Sequence, residues 1–534
     1  MERACRVSGK KFEITSEDLE FYKKMSVPPP TLCPEKRSRR RMAWRNERHL
    51  YKNISRATGK EIISTFAPDS GYHTCELNIW YTDEIDNSKY GRDFNFSRSF
   101  FEQFNDLLHD ITFPALATVN TVNSDYGQYV DGAKNCYLIF ASDNCEDCYY
   151  VSYIWECKNC VDCYGLLKCE LCYECLDCKN CFKTAYSQFC MQCSDCTFCF
   201  DCKSCEYCFG SSGLRHKKYV FFNEELTREE YEKRMKEIYP LTEEKNKEYA
   251  DRAYRLSLKI PRKFAQISKC ENSTGDFLTN CKNCTECYDC YDDEECKYVF
   301  NGPKNNKFCY DCTGVNTGEL IYEGVACGVR DYNNAYCVLS WIGCANLRYC
   351  YNNINSKNLF GCAGLKRSQY CILNKQYSKE EYEKIIPRII EHMEKYNEWG
   401  EFFPGKYSPY PYNDTIAQEY FPIDEKIAAE MGFKWRKENE TPKLFNADEN
   451  APKCASCEKP YNLIPQELNF YKTLGLPTPT LCHNCRYNTR FSKRNPKKLR
   501  ERNCAKCKTK ILTTYALDRP EIIYCNKCYT EMLY

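Results

Sequence analysis

A period of three runs through the middle of the chain. From residue 136 to residue 211 there are 26 positions spaced three apart, and 18 of them are cysteine. The other eight are Ile139, Ser142, Val151, Ile154, Leu166, Thr184, Ser187 and Ser211, all small or apolar. Every cysteine between 136 and 208 keeps this register, so every third side chain meets one interior environment. An α-helix drifts off that period within two turns. A 3₁₀-helix does not run so long, and polyproline II leaves its backbone unpaired. A narrow β-solenoid has the period and pairs its backbone coil to coil. Lys-Asn-Cys or Lys-Ser-Cys ends at Cys136, Cys160, Cys181 and Cys205. That beat fits a stacked coil of about 12, or about 22–24, residues.

Residues 270–371 repeat the theme more loosely. Cys281, Cys284, Cys287, Cys290 and Cys296 share one register, and Cys309, Cys312 and Cys327 the next. Cys344, Cys350, Cys362 and Cys371 return to the first, which predicts inserted loops between them. Both regions end alike: residues 209–233 align without gaps on 360–384, and each predicts a capped helix, Thr227-x-x-Glu230 and Ser378-x-x-Glu381. The pattern resembles the cysteine-cored beetle antifreeze solenoids in architecture alone, because the Thr-x-Thr ranks of those proteins are missing.

The two ends are one module written twice, 449 positions apart. Residues 19–33 (LEFYKKMSVPPPTLC) lie on 468–482 (LNFYKTLGLPTPTLC). In the C-terminal copy Cys454, Cys457, Cys482 and Cys485 form one pair of C-x2-C knuckles, and Cys504, Cys507, Cys525 and Cys528 a second. Two such knuckles complete a tetrathiolate shell, so two structural zinc ions are expected there. In the N-terminal copy Ser8, Lys36, Ser55 and Thr58 stand where Cys457, Cys485, Cys504 and Cys507 would be, so residues 1–70 read as a ribbon-like module without a full ligand set. The C-terminal motif, with Glu467, Phe470, Tyr471, Gly475, Pro479 and Arg486 around its cysteines, resembles a family of probable zinc-ribbon or treble-clef domains. That resemblance implies metal binding and a small interaction module.

The fold class expected is mainly β with α: two cysteine-cored β-solenoid segments capped by helices, flanked by zinc-ribbon or treble-clef modules. The boundaries are 1–70 for the degenerate ribbon, 71–115 for a connector loop and helix, and 116–224 for the first solenoid. A helical connector follows at 225–265, the second solenoid at 266–376, a helix and Pro/Tyr-rich linker at 377–450, and a double zinc ribbon at 451–534. In this order the chain is similar to a family of cysteine-rich zinc-ribbon proteins of small-genome candidate-phylum bacteria, a likeness carried by residues 80–104, 374–384 and 408–423. That family implies no activity.

Lys and Arg total 76 against 74 Asp and Glu, so the whole chain does not seek polyanions. Basic runs do follow the knuckles. Arg39, Arg40, Arg41 and Arg45 at one end, and Arg486, Arg490 and Arg494 at the other, are candidate phosphate contacts, with Trp44, Tyr51, Tyr487 and Phe491 interleaved to stack bases. The same rows could instead answer an acidic surface on this chain. Six histidines with no ligand or triad spacing, and no phosphate-cradling glycine loop, speak against an enzyme. No apolar stretch reaches membrane-spanning length and no secretory leader is apparent, so a reducing cytoplasm is expected. These features lead to a non-enzymatic zinc-binding scaffold or adaptor whose ribbons bind nucleic acid, a ribonucleoprotein or a protein. A metal-storage or thiol-redox protein working through the central cysteines is the alternative.

Overall fold

The computed structural model describes residues 1–178, 181–302, 305–314, 319–325, 331–338, 343–437, 444 and 451–533. Cys327 and most of the polar linker at 436–450 lie outside them. Among the described residues the chain is mixed α/β, with many short strands, twelve α-helices and no closed barrel. None of these helices is long and apolar enough to cross a membrane.

The period-three segments form parallel stacks. Lys134 pairs with Glu146, Glu146 with Lys158 and Lys158 with Glu170, a constant advance of twelve residues. Each rung is therefore four triplets. Within a triplet the first residue pairs with its neighbours above and below. The second takes a left-handed backbone, and the third points inward. Asn135, Leu138, Ala141 and Asn144 have φ between 47° and 53°, each one residue before an inward position. A side chain in that region costs of order 1–2 kcal/mol. Asn and Asp tolerate it best, and both recur there. Backbone pairing in two directions holds the bend: Lys134 N donates to Cys145 O on the next rung, and Asn135 N donates to Val122 O on the previous one.

Small thiols fill the inside. Eighteen cysteines from Cys136 to Cys208 are at most 3 % exposed. Their sulfurs donate to backbone carbonyls: Cys148 Sγ lies 3.3 Å from Glu146 O and 3.5 Å from Cys157 O. Serine makes the same bond, as Ser142 Oγ does to Phe140 O at 2.8 Å. The interior thus selects a small side chain that can donate, which is why Cys, Ser and Thr share the column.

The second stack, 267–376, keeps the geometry but not the constant step. Glu294 pairs with Lys307, Glu319 with Tyr332 and Tyr332 with Ala345, each thirteen residues on. Each such step moves the inward register by one, so the slips expected to mark loops are single-residue insertions. Three of them restore the starting phase at Cys344. In the intermediate phase sits Cys337, also fully buried.

Each stack ends the same way. An antiparallel strand folds back on the last rung, Val220 to Glu225 and Cys371 to Gln376. The helices Arg228–Ile238 and Lys379–Lys395 follow, both opened by the expected capping boxes. Together they cover the sheet edge.

The end modules match element for element across the 449-residue offset. Helices Ser16–Lys24 and Pro34–Met42 correspond to Pro465–Leu474 and His483–Ser492. Hairpin Tyr51–Ile54 with Glu61–Ser64 corresponds to Arg500–Asn503 with Lys510–Thr513. They dock crosswise. Phe21 stacks on Tyr310 at 3.8 Å and Tyr22 meets Tyr322 edge-on at 5.0 Å, so the N-terminal module rests on the second stack. Tyr471 meets Tyr173 edge-on at 5.2 Å, so the C-terminal module rests on the first. Connectors repeat the theme. Strand Thr112–Pro114 pairs with His73–Cys75, and Arg262–Lys263 pairs with Ile523–Tyr524. Helix Phe100–Asp110 packs on the end of the second stack through Phe100 and Phe360, and helix Glu243–Leu258 on the first through Tyr249 and Phe209.

Candidate metal centres

Each C-terminal knuckle is a tight turn built by the backbone. Cys454 N donates to Lys459 O and Glu458 N returns to Cys454 O; Cys504 N donates to Thr509 O and Lys508 N to Cys504 O, all at 2.9 Å. Glu458 and Lys508 close these turns with left-handed φ of 60° and 64°. The second knuckle of each site opens a helix, at Cys482 and at Cys525, bringing its two thiols against the first pair.

The result is two clusters, Cys454–Cys457–Cys482–Cys485 and Cys504–Cys507–Cys525–Cys528, whose sulfurs all lie within 4.8 Å of one another. Sulfurs of Cys457 and Cys482 are 3.8 Å apart, and those of Cys507 and Cys525 are 3.7 Å apart. A tetrahedron with metal–sulfur bonds of about 2.3 Å has edges of about 3.8 Å. Among the described residues no other set of three or more His, Cys, Asp or Glu gathers so closely. Both clusters can therefore hold a metal ion.

Their electrostatics ask for a cation. Burial raises Cys454, but N–H groups of Cys457, Cys482 and Ser456 outweigh it and draw its pKa down to about 6. The Thr509 hydroxyl and backbone bring Cys507 to about 6. Cys485 and Cys528 are pushed up to about 12, by burial and by the thiols beside them. Four sulfurs this close cannot all ionise unless a positive ion joins them. His483 stays outside: its ring stacks on Tyr150 at 5.6 Å, and burial drives its pKa down to about 3.

The N-terminal copy keeps the turns without the ligands. Cys5 N donates to Lys10 O at 2.9 Å and Ser55 N to Lys60 O at 2.8 Å, with Gly9 and Gly59 at the left-handed positions. Where Cys525 would stand is Glu76, which sequence reasoning missed. Its carboxylate accepts from Ser55 Oγ at 2.5 Å and Thr58 Oγ1 at 2.8 Å. Hydroxyls and a carboxylate thus tie together what four thiolates would.

Most of the basic rows are engaged in docking the end modules. Arg41, Arg45, Arg486 and Arg490 are at most 5 % exposed. Arg486 Nε and Arg490 Nη1 each lie 2.8 Å from the buried carboxylate of Asp162. Arg494 bridges Asp177 at 3.1 Å and Asp289 at 2.7 Å. At the other end Arg37 meets Asp311 at 2.8 Å and Arg41 meets it at 3.8 Å, while Arg45 pairs with Glu47 at 2.7 Å. Arg40 is held between Glu323 and Glu401, and Arg39 is half-buried against Met431 and Phe421. Trp44, Tyr51 and Tyr487 are buried too. The rows answer an acidic surface on the same chain. No sequence signal singles out Asp162 and Asp311, because an Asp before an inward position reads as one more left-handed corner.

Compared with known protein-family models and with curated proteins, the chain matches none.

Proposed function

We propose that the chain is a non-enzymatic scaffold in which two β-solenoids are clamped together by end modules, the C-terminal one braced by two structural zinc ions. The carrying observation is the pair of closed four-sulfur clusters, whose edges suit a tetrahedral zinc tetrathiolate with no position left for a substrate or reactive water. Zinc is the divalent ion that an all-thiolate tetrahedron favours in such knuckles. The twelve-residue parallel advance and the buried inward column support the solenoid reading.

A non-enzymatic role is supported by how the histidines are used. His49 Nδ1 faces Asp414 O at 3.0 Å and His392 Nε2 faces Arg98 O at 2.9 Å, so both are structural. Storage of metal by the stack cysteines is the weaker reading. Their sulfurs bond to carbonyls two residues back and on the next rung, and among the described residues no three of them close to metal-ligand spacing. With the arginine rows engaged inside the molecule, a partner would meet other surfaces of the ribbons.

Native mass spectrometry of the intact protein tests this reading. Two zinc ions per chain, both removed by a strong chelator with loss of ribbon structure, is the expected result. Many more metal ions per chain, or metal that survives loss of Cys454 and Cys504, would favour storage.

A further inference from the structure

We propose that a cleft beside the N-terminal module is a nucleotide-binding site. The cleft has a volume of about 550 Å³ and opens where the first ribbon, helix Phe100–Asp110 and the segments 396–407 and 430–433 meet. Small-ligand sites commonly run from roughly 300 to 1,000 Å³.

Its cationic wall is one face of helix Pro34–Met42. Arg37 and Arg41 turn from this helix to Asp311. Lys36, Arg39 and Arg40 occupy the neighbouring face and line the cleft, joined by Arg6. Arg6 and Arg40 share Glu401, at 3.4 and 2.7 Å. Arg39 has no such partner among the described residues. Its Nη1 reaches the Met431 sulfur at 3.5 Å, its guanidinium lies 5.6 Å from the Phe421 ring, and its Nε is buried without a hydrogen bond. The remaining walls carry the exposed Tyr396 and the half-buried Tyr407 and Phe433, with Phe101 and Phe402 also in the lining but themselves buried. Glu102, Glu398, Glu401 and Glu430 also line the cleft, so recognition rests on where the helix places its cations rather than on net charge.

The duplicated module isolates what these cations are for. Across the 449-residue offset the docking row Arg37, Arg41 and Arg45 persists as Arg486, Arg490 and Arg494. The cleft row does not: Arg6, Lys36, Arg39 and Arg40 correspond to Ala455, Cys485, Asn488 and Thr489. Lys36 even occupies a metal-ligand position. Docking on a stack therefore needs the first row only, and the second is particular to the copy that lacks the ligand set. Cations on one wall and aromatic rings on the others suit a phosphate joined to a planar base.

Calorimetric titration of the full-length protein with adenosine monophosphate tests the site, with adenosine and inorganic phosphate titrated separately. Saturable one-to-one binding of the nucleotide is expected, weakened about tenfold or more by Arg39→Gln and by Lys36→Gln. Lys510→Gln, on the far ribbon, should leave it unchanged. Metal content and melting of each variant are read in parallel, so that lost binding is not mistaken for unfolding. If Arg39→Gln does not fold, the half-exposed Lys36 decides. No saturable binding at millimolar nucleotide, binding that survives both substitutions, or phosphate binding as tight as the nucleotide would each overturn the proposal. None of these outcomes alters the metal count, so the scaffold reading stands or falls separately.

Discussion

Replacing Asp162 by Asn should release the C-terminal module from the first stack while leaving the stack folded. Asp162 sits at a left-handed corner with φ of 57°, a conformation asparagine also accepts, so the substitution removes charge with little backbone strain. Its two oxygens face Arg486 and Arg490 at 2.8 Å, and all three side chains are at most 2 % exposed. Arg486 keeps Glu467 at 3.4 Å, but the ion pair of Arg490 is with Asp162. At the effective dielectric of such sites one close pair is worth up to about 4 kcal/mol. Breaking a buried pair by removing one partner costs about 3–5 kcal/mol, because the other charge is left desolvated. Hydrogen exchange resolved by segment is the assay. Protection across 454–533 should fall by that amount, and protection across 136–208 should not. Adding Arg490→Met to Asp162→Asn should restore much of the loss, since an uncharged pair of similar size is near neutral in such a site. A change below about 1 kcal/mol, or an equal loss in ribbon and stack, would refute the charge lock.

Three further outcomes follow from the same geometry. Cys172, fully buried with Sγ 3.4 Å from Glu170 O, should accept serine for under about 1.5 kcal/mol. Leucine there should cost clearly more by overpacking, with urea midpoints as the measure; serine doing the greater damage would mean the sulfur has a role beyond packing. Asp293 is the one carboxylate in the inward run from 281 to 299, and burial raises its pKa from 3.8 to about 8. The folded state then holds a proton that the unfolded chain has lost between those values, so stability should fall as pH rises from about 4 to 8, by at most about 1.4 kcal/mol per unit. Asp293→Asn should flatten that slope, and an unchanged slope in urea titrations at several pH values would count against it. Cys507→Ser should lower bound metal from two ions to one and loosen the hairpin Arg500–Asn503 with Lys510–Thr513, read by native mass spectrometry and exchange; retention of both ions would mean that this cluster is not a separate site.

Which parts of this molecule could be read from its letters depends on how many side chains share one environment. The thiol column was legible because each inward position from 136 to 208 meets the same carbonyl-lined interior, and repetition makes such a preference visible. The tetracysteine sites were legible because their chemistry admits few ligands at few spacings. Docking was not. Arg37 and Arg41 sit four residues apart on one face of helix Pro34–Met42, with Arg45 four further on just past its end, but nothing in that row says whether it meets phosphate, solvent or Asp311. Nor does chain order say that the first module sits on the second stack, since the choice between two similar stacks is made by side chains such as Tyr310 and Tyr173 that meet only in the folded state.

The second stack shows a sharper limit. A one-residue insertion shifts the inward register by one, two shift it by two, and three return it to its start, so the phase of Cys344 relative to Cys281 counts insertions only modulo three. From those two residues alone, an uninterrupted run cannot be told from one carrying three thirteen-residue rungs. What separates the two cases is the buried thiols between them: Cys309 and Cys312 stand one step out of the Cys281 register and Cys337 two, so the count has advanced by one before Cys309, by two before Cys337 and by one more before Cys344.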